Sequence, residues 1–219
     1  MLNLLLRAAG AALVLSFAAA AASAATPTVE TLVFVRHGEK PADVDNGQLT
    51  CQGQNRAVAL PNILLAKYGT PAYVFAVEPK QKQDDNGVDY WYLRALATIE
   101  PTAVAAGVTV NLKYGKSDID DVESELAKSK YQSSTVFLAW EHKELVKLVA
   151  NIVKHNGGDP GIVPAWPSDD YDSIYVVSVS RNGSQTSVTF AHDSEGLGYL
   201  SSACSPAPRM ALPRPSAGG

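Results

Sequence analysis

The sequence predicts an α/β domain with three layers, in which helices cover both faces of a mostly parallel sheet that ends in a C-terminal β-hairpin. Short apolar runs typical of buried parallel strands recur at residues 32–35, 72–77 and 134–140. Segments with helical periodicity separate these runs, which is the alternation that βαβ units require. Near the C-terminus, Asn182-Gly183 lies between two β-rich runs, which is the strongest short-range signal of a hairpin.

The first predicted strand, residues 32–35, ends abruptly in Arg36-His37-Gly38. Thr50 is the predicted N-cap of the helix that follows, because its hydroxyl can accept a hydrogen bond from a backbone N–H of the first turn. We expect Pro61 to kink or divide this helix and Gly69 to end it.

The same alternation continues through the middle of the chain. After the second strand, the polar residues 78–89 predict a surface loop, and residues 90–106 predict a helix that Pro101 breaks or restarts. The remaining predicted elements are a short strand at 108–112, an acidic helix at 118–128, the third buried strand at 134–140, an amphipathic helix at 144–155 and hairpin strands at 173–180 and 185–191.

Both ends of the chain differ in composition from this domain. Residues 1–25 combine an N-terminal positive charge, a long apolar run and the small residues Ala22-Ser23-Ala24, which together predict a secretory signal peptide, with an uncleaved membrane anchor as the alternative. Residues 205–219 contain four prolines and predict a disordered tail. We therefore expect one domain, residues 26–204, that is periplasmic or secreted and has no stable membrane contact after signal cleavage.

Net charge and cysteine count limit the classes of partner and site. The net charge of −4 argues against a nucleic acid as partner, because nucleic-acid binding requires a basic face. Cys51 and Cys204 are the two cysteines, and an even count in an exported protein permits a disulfide, with two free thiols as the alternative. Neither cysteine has metal-ligand spacing, so we expect no metal site.

Charged and imidazole side chains follow the predicted strands at their carboxyl ends. Arg36 and His37 follow the first strand, Glu141 and His142 follow the third, and Arg94 opens the helix after the second. Because the carboxyl ends of parallel strands meet at one edge of the sheet, we expect these side chains to converge. Arginine forks match phosphoryl oxygens bidentately and keep their charge, so two arginines and two histidines predict a phosphate pocket.

Four ordered segments resemble a known family. Arg36-His37-Gly38-Glu39 resembles the signature of the histidine phosphatase superfamily, which has the phosphoglycerate-mutase-like fold. Leu49-Thr50-x-x-Gly53, Arg94-Ala95-x-x-Thr98 and the strand followed by Glu141-His142 resemble the segments that follow the signature in that family. The resemblance spans residues 31–154, which is most of the predicted domain.

The resemblance implies an exported phosphomonoesterase that acts on small phosphorylated substrates without a metal or other cofactor. In this interpretation His37 attacks phosphorus and becomes phosphohistidine, which water then hydrolyses. Arg36, Arg94 and His142 would bind the phosphoryl oxygens, and Glu141 beside His142 would favour the protonated form of that imidazole.

The chain departs from the family pattern at the proton donor for the leaving group. One branch has an acid directly after the second histidine, where this chain has Lys143; another uses a glutamate after the second arginine block, where this chain offers only acidic residues within 118–123. Glu141 is the preferred candidate. The alternative functions are a non-catalytic module that retains a phosphorylated ligand and a phosphatase of phosphohistidine proteins, and the predicted export argues against the second.

Overall fold

A six-stranded mixed sheet forms the centre of the molecule, which we describe from a computed structural model over residues 26–43, 46–80, 82–85 and 88–204. In chain order, the elements are β1 (Thr28–Arg36), α1 (Cys51–Tyr68), β2 (Tyr73–Ala76), β3 (Lys82–Asp85), β4 (Val88–Trp91), α2 (Arg94–Ala106), β5 (Val110–Asn111), α3 (Ile119–Leu126), β6 (Thr135–Trp140), α4 (His142–His155), β7 (Ser173–Asn182) and β8 (Gln185–Ser194).

The strand order is β5-β2-β6-β1-β7-β8. Strands β5, β2, β6 and β1 are parallel neighbours, β7 is antiparallel to β1, and β8 is antiparallel to β7. Helices α1 and α2 pack against each other, as do α3 and α4, so that one pair covers each face of the sheet. The predicted α/β class, the mostly parallel sheet and the C-terminal hairpin are confirmed.

The two central strands carry the core and set the position of the candidate site. Apolar residues 32–35 of β1 and 136–140 of β6 are buried almost completely, as the continuous apolar runs predict for strands covered on both faces, whereas Val29 near the start of β1 is half exposed. The register pairs Arg36 of β1 with Trp140 of β6, so both strands end at the same level. The residues that follow each strand therefore start side by side at one edge of the sheet.

Helix α1 begins as predicted but continues through its proline. The Thr50 hydroxyl accepts a hydrogen bond from the N–H of Gly53 at 3.1 Å, and Gly69 ends the helix with a φ of 75°. Pro61 lies inside this single helix and Pro101 lies inside α2, so the predicted division of each helix at its proline is wrong. Buried side chains on the apolar faces of both helices supply packing energy that offsets the missing backbone hydrogen bonds.

A second, two-stranded sheet occupies most of the segment that was predicted as a surface loop. Strands β3 and β4 pair antiparallel, from Lys82 opposite Trp91 to Asp85 opposite Val88. Because β4 extends to residue 91, helix α2 starts at Arg94 and not at residue 90. The prediction of a loop here is therefore wrong, and the hairpin brings Tyr90 to the wall of the pocket described below.

A disulfide joins Cys51 at the start of α1 to Cys204, which confirms the predicted pairing. The predicted signal peptide and the predicted disordered tail, residues 1–25 and 205–219, lie outside the described residues. Within the described ranges, no helix is long and apolar enough to cross a membrane.

Candidate active site

A pocket of about 300 Å³ opens where β1 and β6 end, and all five predicted site residues line it. These residues are Arg36, His37, Arg94, Glu141 and His142. The backbone fixes their arrangement, because the N–H of His37 donates to the carbonyl of Trp140 at 3.0 Å. The convergence predicted from the parallel strands is therefore what the structure shows.

Thr98 connects the arginine helix to the histidine loop. Its hydroxyl donates to the carbonyl of Arg94 at 2.8 Å and accepts the N–H of Gly38 at 2.8 Å. The side chain is completely buried. Thr98 belongs to the motif quoted from the sequence, but only the structure shows that it sets the position of α2 relative to His37.

The loop after β1 lies directly against the first turn of α1. A side-chain carbon at Gly53 would lie 2.7 Å from the carbonyl oxygen of Glu39 and 2.9 Å from its nitrogen, and one at Gly38 would lie 3.1 Å from the Gly53 backbone. The Thr50 N–H donates to the carbonyl of Glu39 at 2.8 Å. Both glycines are required by this close approach, which holds the histidine loop on α1.

His37 is held as a neutral imidazole with one nitrogen available. Its Nδ1 lies 2.8 Å from the carbonyl oxygen of Gly38, which cannot donate, so Nδ1 carries the proton and Nε2 keeps its lone pair. Burial is the main cause that lowers the pKa of His37 to about 3; the hydrogen bond to the Gly38 carbonyl acts in the opposite direction, and the positive charges of Arg94 and Arg36 add to the lowering. The ring is therefore uncharged and nucleophilic at neutral pH.

Arg94 presents unpaired hydrogen-bond donors to the pocket. Its Nη2 donates to the hydroxyl of Tyr90 at 2.9 Å, whereas Nε and Nη1 are buried and have no hydrogen-bond partner among the described residues. Leaving buried donors of a charged group unsatisfied costs on the order of 1–3 kcal/mol or more each. An anion bound in the pocket would accept hydrogen bonds from these two nitrogens. The geometry is therefore that of an anion-binding site.

The loop after α4 holds Arg36. The Nη1 of Arg36 donates to the carbonyls of Ser168 and Asp170 at 2.8 Å each, and the guanidinium carbon lies 3.9 Å from the centre of the Tyr171 ring. Its Nε is buried without a partner in the described structure. Sequence reasoning missed this loop, because it lies more than 130 residues from Arg36 and has no motif of its own.

Glu141 and His142 belong to the start of α4 and do not continue the strand. Glu141 is the N-cap, and its Oε2 accepts the N–H groups of Lys143 and Glu144 at 2.9 and 3.0 Å. Its Oε1 lies 2.7 Å from Nδ1 of His142. Burial raises the pKa of Glu141, but the His142 contact and the two backbone N–H groups outweigh it and lower the pKa to about 2.

The other predicted proton donors lie outside the pocket. Asp118 accepts the N–H of Gly115 at 2.8 Å and lines a separate cavity together with Asp121, while Glu123 contacts Nδ1 of His155. Sequence reasoning also missed Glu144, whose side chain does line the pocket. The sequence did offer a signal for Glu144, because this residue opens the predicted helix at 144–155 and follows His142 by two residues.

The fold has solved counterparts of low sequence identity. The chain is similar to a protein named as a phosphohistidine phosphatase, SixA, from Nakamurella multipartitia (16% identity, 78% of this chain, 98% of that chain, TM-score 0.48). It is also similar to a mycobacterial glucosyl-3-phosphoglycerate phosphatase in complex with inorganic phosphate (15% identity, 71% and 96%, TM-score 0.48). A third is phosphoglycerate mutase from Plasmodium falciparum (10% identity, 75% and 89%, TM-score 0.46).

No family model and no curated protein sequence matches the chain. The assignment of function therefore depends on the side chains of the pocket.

Proposed function

We propose that the chain is an exported phosphomonoesterase of the histidine phosphatase superfamily that works through a phosphohistidine on His37 without a metal ion. The observation that carries this proposal is the juxtaposition of two groups in one pocket. One is a neutral imidazole with its tautomer fixed, and the other is an arginine with two buried, unpaired N–H groups. Together they are a nucleophile and an anion-binding group.

The first step is attack by the Nε2 lone pair of His37 on phosphorus. A bond forms between Nε2 and phosphorus while the bond from phosphorus to the ester oxygen breaks, and the leaving alkoxide takes the proton of a donor carboxyl. The hydrogen bond from Nδ1 to the Gly38 carbonyl stabilises the positive charge that develops on the ring. Water then attacks phosphorus and returns a proton to the donor carboxylate while the bond from phosphorus to Nε2 breaks, which releases phosphate and restores the imidazole.

Arg36, Arg94 and His142 stabilise the charge on the phosphoryl oxygens in this scheme. Their N–H groups are pre-positioned by Tyr171, Tyr90 and Glu141, respectively, so they need little reorganisation during the reaction. The guanidinium groups carry the positive charge that a metal ion supplies in other phosphatases. Metal independence is part of the proposal for this reason.

Glu141 has the contacts of a positioning residue. Both of its oxygens are engaged, and its lowered pKa keeps it ionised, so it has no proton to donate at neutral pH. Its carboxylate instead lies 2.7 Å from Nδ1 of His142 and fixes the orientation of that ring. Glu144 is the other glutamate that lines the pocket, and we assign the role of proton donor to it in place of Glu141; its contact with Lys147 at 3.0 Å must break when Glu144 takes up the proton that it donates.

Hydrolysis of an aryl phosphate and an alkyl phosphate tests the proposal. We expect the wild type to hydrolyse both esters, His37→Ala to hydrolyse neither, and His155→Ala, a matched control at the far end of α4, to behave as the wild type. Loss of the alkyl ester alone in Glu144→Gln would support Glu144 as donor, because an aryloxide needs no proton to leave. Wild-type activity that survives His37→Ala would contradict the mechanism.

A non-catalytic phosphate-binding module is the second candidate function. The observation that favours it is that the predicted donor, Glu141, is committed to the helix cap and to His142. A wild type that binds phosphate or vanadate but hydrolyses neither ester would establish this alternative. Export rests on the composition of residues 1–25, and mass spectrometry of protein recovered from expressing cells would show whether those residues are removed.

A further inference from the structure

The pocket around His37 contains a buried hydroxyl group that the proposed mechanism does not use. Tyr92 lines this pocket, and only 2% of its surface is exposed. Its hydroxyl is buried and has no hydrogen-bond partner among the described residues. A tyrosine buried in a protein usually finds a partner for its hydroxyl, because a buried polar group without one costs free energy. The Tyr92 hydroxyl is therefore a donor that the folded chain leaves unused.

The backbone around Tyr92 directs its side chain into the interior of the molecule. The residue lies between β4 and α2, where the N–H of Leu93 donates to the carbonyl of Trp91 at 2.9 Å. Side chains alternate along an extended chain, and here Tyr90 and Tyr92 are buried while Trp91 between them is half exposed. The ring of Tyr92 meets that of His37 edge to face, with 6.0 Å between the ring centres. The hydroxyl is thus carried by a ring in a fixed position beside the nucleophile.

Arg94 places its free donors next to the same hydroxyl. Its guanidinium carbon lies 5.1 Å from the centre of the Tyr92 ring. Burial raises the pKa of Tyr92 more than the Arg94 charge lowers it, so the hydroxyl keeps its proton at neutral pH. Although the two side chains are neighbours, the Tyr92 hydroxyl and Nε and Nη1 of Arg94 all lack a partner with hydrogen-bond geometry in the part of the chain that the structure describes. Three buried donor atoms in one pocket therefore lack an acceptor.

A phosphoryl group supplies the acceptors that these donors lack. Its oxygens carry negative charge and form strong hydrogen bonds, so one group can accept from Arg94 and Tyr92 together. Phenylalanine would fill nearly the same volume without burying an oxygen, so packing alone gives no reason for the hydroxyl. We propose that Tyr92 is a further catalytic residue, whose hydroxyl donates a hydrogen bond to a phosphoryl oxygen of the substrate beside the free N–H groups of Arg94. This inference rests on the proposed function.

Tyr92→Phe tests this contact, because it removes the hydroxyl and keeps the ring. We expect kcat/KM for an aryl phosphate to fall about ten- to hundredfold, which corresponds to the loss of one hydrogen bond to a charged group. Without any anion, Tyr92→Phe should unfold at the same temperature as the wild type or higher, because its hydroxyl has no partner to lose among the described residues. At one fixed concentration, orthovanadate should raise the unfolding temperature less in Tyr92→Phe than in the wild type.

Tyr131→Phe is the matched control. Tyr131 is as deeply buried as Tyr92, but it lies outside this pocket and its hydroxyl donates to Glu125 at 2.8 Å. We expect Tyr131→Phe to unfold at a lower temperature than the wild type, because that bond is lost, and to keep the wild-type kcat/KM and orthovanadate response. The two variants should therefore show opposite effects on stability and activity.

Three results with Tyr92→Phe would each overturn the contact while leaving the phosphatase intact. They are a wild-type kcat/KM, an unchanged orthovanadate response, and a lower unfolding temperature without anion, which would show that the hydroxyl has a partner within the protein. If the wild type does not hydrolyse the aryl phosphate, the proposed function fails and the orthovanadate response alone decides. A stabilisation of the wild type that Tyr92→Phe reduces would then retain the contact, and equal or absent stabilisation would exclude it.

Discussion

At the scale of single residues, the reactivity of His37 depends on what surrounds its ring. Gly38 accepts from Nδ1, and Arg36 and Arg94 place positive charge nearby, so the ring has both a fixed tautomer and a reason to stay neutral. A neutral buried imidazole is ready to attack without first losing a proton. Burial, with the charges of the two arginines, thus keeps this imidazole uncharged.

The first prediction concerns the titration of this ring. Because burial lowers the pKa of His37 to about 3, its NMR signal should not shift between pH 5 and pH 8. The unfolded chain takes up this proton near pH 6.5 and the folded chain only near pH 3, so His37 should reduce stability progressively as the pH falls through that window. The His37→Ala spectrum identifies the signal, and a midpoint near 6.5 would contradict the prediction.

The second prediction separates positioning from proton donation at Glu141. Glu141→Gln keeps the size of the side chain but removes the charge beside His142, and we expect aryl and alkyl ester hydrolysis to fall together by about 10–100-fold, as for residues that orient other site groups. Initial rates should be measured well below the melting temperature, because the helix cap is weakened as well. Selective loss of the alkyl ester would return the donor role to Glu141.

At the scale of secondary-structure elements, the site depends on how closely the histidine loop approaches α1. The backbones of Gly38 and Gly53 leave no room for a side chain between them. Thr98 fixes the start of α2 against the same loop. The loop that carries the nucleophile is thus held by two helices, which limits its freedom without any contact to the substrate.

The third prediction is that Gly53→Ala lowers both stability and turnover. The added carbon would meet the Glu39 backbone at 2.7 Å, and such overpacking costs about 1–3 kcal/mol. Thermal denaturation and aryl phosphate hydrolysis measure the two effects. Gln54→Ala, at the exposed neighbouring position of the same helix, is the control and should change neither. A stable Gly53→Ala variant would show that the loop tolerates displacement.

A buried charge cluster joins α1 to the segment after β8. Arg56 donates to Glu39 at 2.8 Å and to Glu195, and also contacts Asp172 at 3.3 Å. Glu195 is 3% exposed, and burial raises its pKa to about 8 despite the Arg56 charge. One guanidinium therefore faces three carboxyl groups, and burial raises the pKa of the most deeply buried of them, Glu195.

The fourth prediction follows from the sign of this shift. The unfolded chain loses the Glu195 proton near pH 4.5 and the folded chain keeps it to about pH 8, so the folded state binds more protons between these values. This group therefore makes stability fall as the pH rises through that window. The free energy of unfolding, measured by urea denaturation at several pH values, should depend less on pH in Glu195→Gln than in the wild type. The same pH dependence of the free energy of unfolding in both proteins would mean that Glu195 is already ionised in the folded state.

At the scale of the whole molecule, the disulfide between Cys51 and Cys204 closes most of the domain into one covalent loop, with 153 residues of separation. Asn55 of α1 further attaches the segment before Cys204 to this helix, because its side-chain amide donates to the carbonyls of Ser201 and Ala203 at 2.9 Å each. The C-terminal segment is thus attached to the helix that supports the histidine loop. Neither cysteine lines the candidate active site.

The fifth prediction is that Cys51→Ser/Cys204→Ser lowers the free energy of unfolding by about 2–4 kcal/mol, since the crosslink restricts the unfolded chain. We expect aryl phosphate hydrolysis at 25 °C to stay within twofold of the wild type. Urea denaturation with and without reductant measures the stability, and the double variant should be insensitive to reductant. A large loss of activity in a folded variant would show that the disulfide also holds the residues of the candidate active site in position.

Local patterns predicted the parts of the fold that depend on neighbouring residues. The three buried strands, the Thr50 cap and the hairpin at Asn182-Gly183 follow from apolar runs, hydroxyl capping and turn chemistry. The hairpin formed by β3 and β4 was missed because β3 is wholly polar and β4 was divided between a predicted loop and a predicted helix, although the sequence places Asn86-Gly87 between the two strands.

Contacts between distant segments could not be predicted in this way. The pocket residues were predicted because parallel strands end at one edge, but the loop that holds Arg36 and the partners of Arg56 are set by tertiary packing. The role of Glu141 changed because α4 begins at His142, two residues before the predicted helix at 144–155, which makes Glu141 the helix cap. A two-residue difference at an element boundary thus decides which backbone groups the Glu141 carboxylate binds.

The most direct test of the mechanism is to trap the phosphoenzyme. Rapid acid-free quenching after mixing with an aryl phosphate, followed by intact-mass measurement, should show a single added phosphoryl group that is stable in alkali and released by acid. Peptide mapping should place it on His37, and His37→Ala should not acquire it. An unmodified wild type during steady turnover, or a phosphoryl group on another residue, would contradict the account.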